Sequence, residues 1–131
     1  MRIVLEPSAA VDLVLHPSER ETESHLQAEG KWVIAPDLFA SEVANVFWKY
    51  HAFQNMPMEH AEAAMELALE LPDSLADVRE LYTEAFAMAC RTRHPVYDML
   101  YLVLARRNNA LLLTRDGALK MLAAKHDVRV D

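Results

Sequence analysis

The chain has a single cysteine, Cys90, and only two glycines, Gly30 and Gly117, in 131 residues. One cysteine excludes a disulfide framework and any multi-cysteine zinc site, and it makes a reducing compartment the natural setting. Two isolated glycines exclude the Gly-rich loops that cradle phosphates in nucleoside-triphosphate and dinucleotide sites. No charge-free run approaches the ~18 residues of a membrane span. Glu6 and Asp12 interrupt the first apolar stretch, which argues against a signal peptide and leaves a cytoplasmic protein as the expectation. Positive charge is also short: 13 Lys plus Arg stand against 20 Asp plus Glu, a formal net charge of −7. Proteins that grip nucleic acid by charge alone are usually basic. Any nucleic-acid role here requires local Lys and Arg, or metal ions, at the contact.

What is present is an ordinary globular composition. The 53% hydrophobic and 25% charged fractions are too apolar for disorder. The length suits one domain spanning residues 1–131, large enough to bury roughly two-thirds of its unfolded surface. There is no internal repeat, low-complexity segment or linker.

Strand and helix signals alternate along the chain. Arg2 to Glu6, with its Ile3-Val4-Leu5 run ending at Pro7, reads as a strand buried on both faces. A short helix follows from Ser8 to Leu15, broken at His16-Pro17. Ser18 and Glu21 have capping-box spacing for a second helix that stops at Gly30. Trp32 to Ala35 is a strand. Pro36-Asp37 opens a long helix to Phe53, and Met58 to Leu71 forms another with an apolar stripe. Ser74 to Val78 reads as a brief strand, Arg79 to Arg91 and Pro95 to Arg107 as helices, and Ala110 to Thr114 as a strand. A helix from Asp116 to Lys125 and an edge strand from Val128 to Val130 complete the chain. Such alternation predicts an α/β fold with a mostly parallel sheet of about five short strands covered on both faces. Ligands of such folds sit beyond the carboxyl ends of the strands.

Four carboxylates fall where that rule directs attention. Glu6 ends the first strand, and Glu is a poor N-cap, so capping explains it badly. Glu42 lies in the second turn of the long helix, beside Asn45 and Lys49 on the same face. Asp98 opens a helix otherwise apolar from Val96 to Ala105. A carboxylate among buried apolar residues requires a cationic partner, a metal or a raised pKa. Asp116 follows the strand Leu111-Leu112-Leu113-Thr114 and is well placed as an N-cap. The bland reading of each is a solvated charge or a cap, and of Ser8 and Thr114 a turn hydroxyl. Gathered at one sheet edge, four carboxylates cannot all stay ionised without cations. All-oxygen ligands favour Mg²⁺, with Mn²⁺ able to substitute.

These residues resemble the PIN domain family, in particular VapC-like toxins of bacterial toxin–antitoxin pairs. The matching segments are Val4-Leu5-Glu6-Pro7-Ser8, Ser41-Glu42-Val43-Ala44-Asn45, Val96 to Ala105 around Asp98, and Leu113-Thr114-Arg115-Asp116. The resemblance implies a three-layer α/β/α sandwich and a metal-dependent endoribonuclease that hydrolyses phosphodiesters with metal-activated water. It implies that Glu6, Glu42, Asp98 and Asp116 are catalytic metal ligands, supported by Ser8, Asn45 and Thr114. It also implies an antitoxin partner and a homodimer. Glu6 stands where the family has Asp, and the longer arm is expected to weaken the metal site. A PIN module that has lost catalysis and binds protein or RNA is the alternative.

RNA must reach an acidic pocket, and Lys49, Arg93 and Arg115 are the candidate substrate-binding cations, with His94 beside Arg93. Trp32, Phe39, Phe47, Trp48, Phe53, Met56 and Met58 read mostly as core, any exposed remainder marking an interface. Cys90 reads as buried filler. A two-component receiver domain has a similar size and an acidic pocket. The chain lacks its phosphoacceptor Asp and its adjacent acids after the first strand.

Overall fold

The computed structural model describes residues 1–17, 25–26 and 28–131. β1 (Arg2–Leu5) leads through α1 (Pro7–Leu15) to β2 (Trp32–Pro36). Two helices follow, α2 (Phe39–Gln54) and α3 (Met58–Leu69), then β3 (Ser74–Ala76) and a 3₁₀ turn over Val78–Glu80. α4 (Tyr82–Thr92), α5 (Val96–Arg107), β4 (Leu111–Leu113) and α6 (Gly117–Lys125) complete the order. The helix expected from Ser18 to Gly30, with its Ser18–Glu21 cap, lies largely outside the described residues. No helix among them is long and apolar enough to cross a membrane.

The four strands form one parallel sheet in the order β3-β2-β1-β4. Val4 lies between Ile34 of β2 and Leu112 of β4, which sets the register. Ile3, Val4 and Leu5 are fully buried, so both faces of β1 are covered. α5 packs across β1, β2 and β4, and α4 packs on α5. α1, α2 and α3 form a second packed group. The apolar run of α5 behaves as its sequence requires, every residue from Met99 to Ala105 being buried.

The strand order locates the crevice. The chain runs outward from β1 to β2 to β3 and then returns to the other side of β1 as β4. The order therefore reverses between β1 and β4, and open parallel sheets bind ligands at that reversal.

Several elements differ from the sequence reading. The sheet has four strands, not five. Val130 makes one isolated parallel bridge to Leu112, because the turn at Asp127, with φ 60°, brings the chain alongside β4 only from Arg129 onward. β3 stops at Ala76, where the Asp77 side chain accepts from the Arg79 amide and starts the 3₁₀ turn. That turn takes the first residues of the helix expected from Arg79. α2 begins at Phe39 because Pro36 still pairs with Ala76 in the sheet. Cys90 is exposed rather than buried. It continues the solvent-facing i, i+4 stripe of Tyr82 and Phe86 on α4.

Candidate active site

Glu6 and Thr114 are the buried polar side chains among the described residues, at 9% and 0% exposure. They stand at the ends of β1 and β4, on either side of the strand-order reversal. Three donors converge on Oε2 of Glu6. The Ser8 amide donates at 3.0 Å, the Thr114 hydroxyl at 2.8 Å, and the Ser8 hydroxyl makes a further short bond. Glu6 is thus the N-cap of α1, contrary to the expectation from its residue type. The reason is local: Pro7 holds Glu6 in extended backbone, φ −93° and ψ 147°, and the longer arm folds back onto the Ser8 amide. No hydrogen bond among the described residues reaches Oε1.

The loop after β4 is tied into the same network. The Asp116 amide donates to the Thr114 hydroxyl at 3.1 Å, and the Arg115 amide donates to the Ser8 hydroxyl at 2.8 Å. Asp116 Oδ1 accepts from the amides of Ala118 and Leu119, at 2.9 and 3.2 Å, as the expected N-cap of α6. The Arg115 guanidinium donates to Asp12 of α1 at 3.1 Å. This tie of loop to helix was not visible in the sequence.

Glu42 and Asp98 approach from α2 and α5. Tyr101, buried on α5, donates its hydroxyl to Glu42 Oε1 at 2.6 Å. Burial and the charge of Glu42 push the Tyr101 phenol far above its ordinary range, so it acts as a donor. Ser41, Glu42 and Asn45 of α2 line one cavity together with Tyr97 of α5. Ser8, Asp12 and Arg115 line another with Tyr50.

The electrostatics bind the four acids into one group. Desolvation raises the Glu6 carboxyl against the bonds from Ser8 and Thr114, and the charge of Asp98 adds to the rise. Burial raises Glu42, with Glu6 and Asp98 adding repulsion against the Tyr101 bond. Burial raises Asp98 as well, Asp116 repelling it and His94 partly offsetting that. Asp98 was expected to have a cationic partner, a metal or a raised pKa. Among the described residues neither Lys nor Arg pairs with it, and the raised pKa is what is found.

No family model matches the chain. The chain is 29% identical to Ribonuclease VapC3 of Pyrobaculum aerophilum over 121 residues, 91% of this chain and 92% of that one. The crystal structure of PAE2754 from the same organism superposes with a TM-score of 0.72 at 20% identity, covering 92% of this chain and 86% of that one. VapBC2 from Rickettsia felis, bound to a DNA fragment from the promoter, gives 0.69 at 15% identity over 100% and 98% of the two chains. VapBC-1 from nontypeable Haemophilus influenzae gives 0.67 at 16%, over 100% and 97%. The chain has the PIN fold. Its resemblance to VapC-like proteins, carried in the sequence by four short motifs, is borne out.

Within this PIN fold the donor set at the β1–β4 reversal is all oxygen and acidic, which suits a hard divalent cation. The cage is not preassembled, since no three acidic, His or Cys side chains among the described residues close on one point. The carboxyls of Glu6, Glu42 and Asp98 are raised chiefly by burial, and their mutual repulsion adds to the rise. Among the described residues, no hydrogen bond reaches Glu6 Oε1, Glu42 Oε2, the Asp98 carboxylate or Asp116 Oδ2.

The remaining sequence candidates are spread more widely. Asn45 shares the Glu42 cavity but is exposed, and Lys49 is exposed one turn further along α2. Arg93 caps α4 in left-handed backbone, φ 59°, and leads through His94 into the Asp98 helix. Phe39 and Phe47 are core, whereas Trp32, Trp48, Phe53 and Met58 are exposed. Trp48 and Phe53 meet edge to face, their centroids 5.6 Å apart, beside a groove lined by Phe47, Trp48, Met58 and Met65. Tyr101 was read only as one apolar residue among many. The available signal was its hydroxyl, which inside an all-apolar helix needs a partner.

Proposed function

We propose that this chain is a Mg²⁺-dependent endoribonuclease, able to use Mn²⁺, and the toxin of a toxin–antitoxin pair. The observation that carries the reading is the pairwise electrostatic coupling of Glu6, Glu42, Asp98 and Asp116 beside the β1–β4 reversal, in a chain similar to Ribonuclease VapC3. The module without catalysis draws no support from the relatives.

Glu6, Glu42, Asp98 and Asp116 would hold the cation. Once bound, it would neutralise phosphate oxygens and lower the pKa of a water. The chain's own residues do the rest. Thr114 and Ser8 fix the Glu6 carboxylate from two sides. Tyr101 fixes Glu42. Asp116 orients the loop that follows β4 through the first amides of α6. Lys49, Arg93 and Arg115 would counter the RNA backbone, Arg115 while still paired to Asp12. Asn45 would line the approach to Glu42.

The exposed Trp48, Phe53 and Met58 surface suits a protein partner, and the VapBC structures support an antitoxin as that partner. We also read the working form as a homodimer in the cytoplasm, where its RNA would be met.

Purified protein should be incubated with total cellular RNA in Mn²⁺ or Mg²⁺, beside Asp98→Asn and an EDTA control. Cleavage lost on both EDTA and substitution, by more than ~100-fold for Asp98→Asn, supports the reading. Equal cleavage by wild type and Asp98→Asn identifies a contaminant. No cleavage by either returns the weight to a non-catalytic module.

A further inference from the structure

We propose that Tyr101 is a positioning residue for Glu42, its hydroxyl occupying one carboxylate oxygen so that the other is presented to the cation. The inference rests on the metal-dependent reading of the acidic cluster and deepens it.

The geometry supplies the argument. Tyr101 is 1% exposed, and its hydroxyl, 2.6 Å from Glu42 Oε1, reaches across 59 positions of sequence. That distance lies in the short range of hydroxyl bonds to an ionised carboxylate. Tyr101 follows Asp98 by three residues, so both lie on the same face of α5. One helix therefore provides a ligand candidate directly and steers a second, which belongs to α2. A Glu side chain has three torsions to order, and a half-buried one without a donor would sample several orientations. Donors behind ligating carboxylates orient them, and their removal typically costs about 10–100-fold in metal affinity or activity.

The alternative is a hydroxyl that only ties α5 to α2. Mn²⁺ binding to the RNA-free protein, followed by electron paramagnetic resonance, separates the two. Tyr101→Phe keeps the ring and removes the donor. It is expected to weaken Mn²⁺ binding about tenfold and to have less than about a twofold effect in a Glu42→Gln background. A purely structural tie would lower the unfolding midpoint in EDTA and leave Mn²⁺ affinity alone, which overturns the proposal. Additive losses in the double variant overturn it as well. If Glu42→Gln itself leaves Mn²⁺ affinity unchanged, Glu42 is no ligand, and the underlying reading fails with it. Should Tyr101→Phe not fold, the unsubstituted protein answers the question. Its Tyr101 hydroxyl proton, buried and hydrogen-bonded, should shift during Mg²⁺ titration with the midpoint of metal binding, and a resonance indifferent to Mg²⁺ overturns the proposal.

Discussion

The acidic edge at the ends of β1 and β4 and the aromatic surface of α2 and α3 are built on opposite principles. At the acidic edge, Glu6 is buried, Glu42 and Asp98 are half-buried, and three of the four acids are held by specific donors: Ser8 and Thr114 on Glu6, Tyr101 on Glu42, and the amides of α6 on the exposed Asp116. On the aromatic surface, large apolar side chains are left in water, with Trp48 at 54%, Phe53 at 72% and Met58 at 62% exposure. The first region spends stability on desolvated charge, and the second forgoes the stability that burial would bring. Neither arrangement serves the folding of the isolated chain, and both make sense for a molecule that needs something else bound. On the proposed function, a small cation would complete the first and a protein surface the second.

The largest expected effect is at Glu6. Shortening the arm by Glu6→Asp should raise Mn²⁺ affinity or cleavage by between about ten- and a hundredfold; unchanged affinity and activity would remove position 6 from the ligand set. Thr114→Val should lower stability by about 1–3 kcal/mol, the cost of leaving a buried carboxylate short of a donor, as read from urea denaturation in EDTA. A change within ~0.5 kcal/mol would mean that the acidic edge is as loosely held as the aromatic one.

The pH response sharpens the contrast further. The Glu6, Glu42 and Asp98 carboxyls are raised in the folded protein. Folding therefore favours their protonated forms, so the stability they contribute is full below the ordinary value of about 4 and is lost as pH rises through the raised values. In EDTA, Glu42→Gln should gain stability relative to wild type between acid and neutral pH, measured by urea denaturation at each pH. Saturating Mg²⁺ should reverse that ranking at neutral pH. The smallest effect is predicted on the aromatic side. Trp48→Ala should change stability by no more than ~0.5 kcal/mol and leave Mn²⁺ binding untouched. A larger loss would show that the Trp48–Phe53 contact belongs to the fold.

Much of this organisation was legible in the residues. The aliphatic runs of β1 and β4 and the all-apolar helix around Asp98 announced a buried parallel sheet, and the positions of Glu6 and Asp116 followed from where the strands end. Less legible was anything decided by a single side chain meeting a distant one. Glu is a poor cap on average, yet Pro7 and Ser8 make Glu6 a cap here. Periodicity sees the ring of Tyr101 and not its hydroxyl. Cys90 was misplaced because its residue type favours burial, while its position on the Tyr82 and Phe86 stripe of α4 does not. The fifth strand failed for lack of length alongside β4, a matter of turn geometry at Asp127.

The bond from Thr114 to Glu6 joins residues 108 positions apart. During synthesis, the strand that carries Thr114 is made long after the one that carries Glu6. At roughly 5–20 residues per second, about 5–20 s separate the two on the ribosome. Until β4 has emerged and inserted beside β1, Glu6 lacks its buried donor and Asp116 has not arrived. On the proposed function, a ribonuclease assembled in this order would be inactive as a nascent chain and would spare the message and the ribosome that are making it. Its activity would then begin with the docking of one three-residue strand, late enough for an inhibitory partner already present to meet the finished fold.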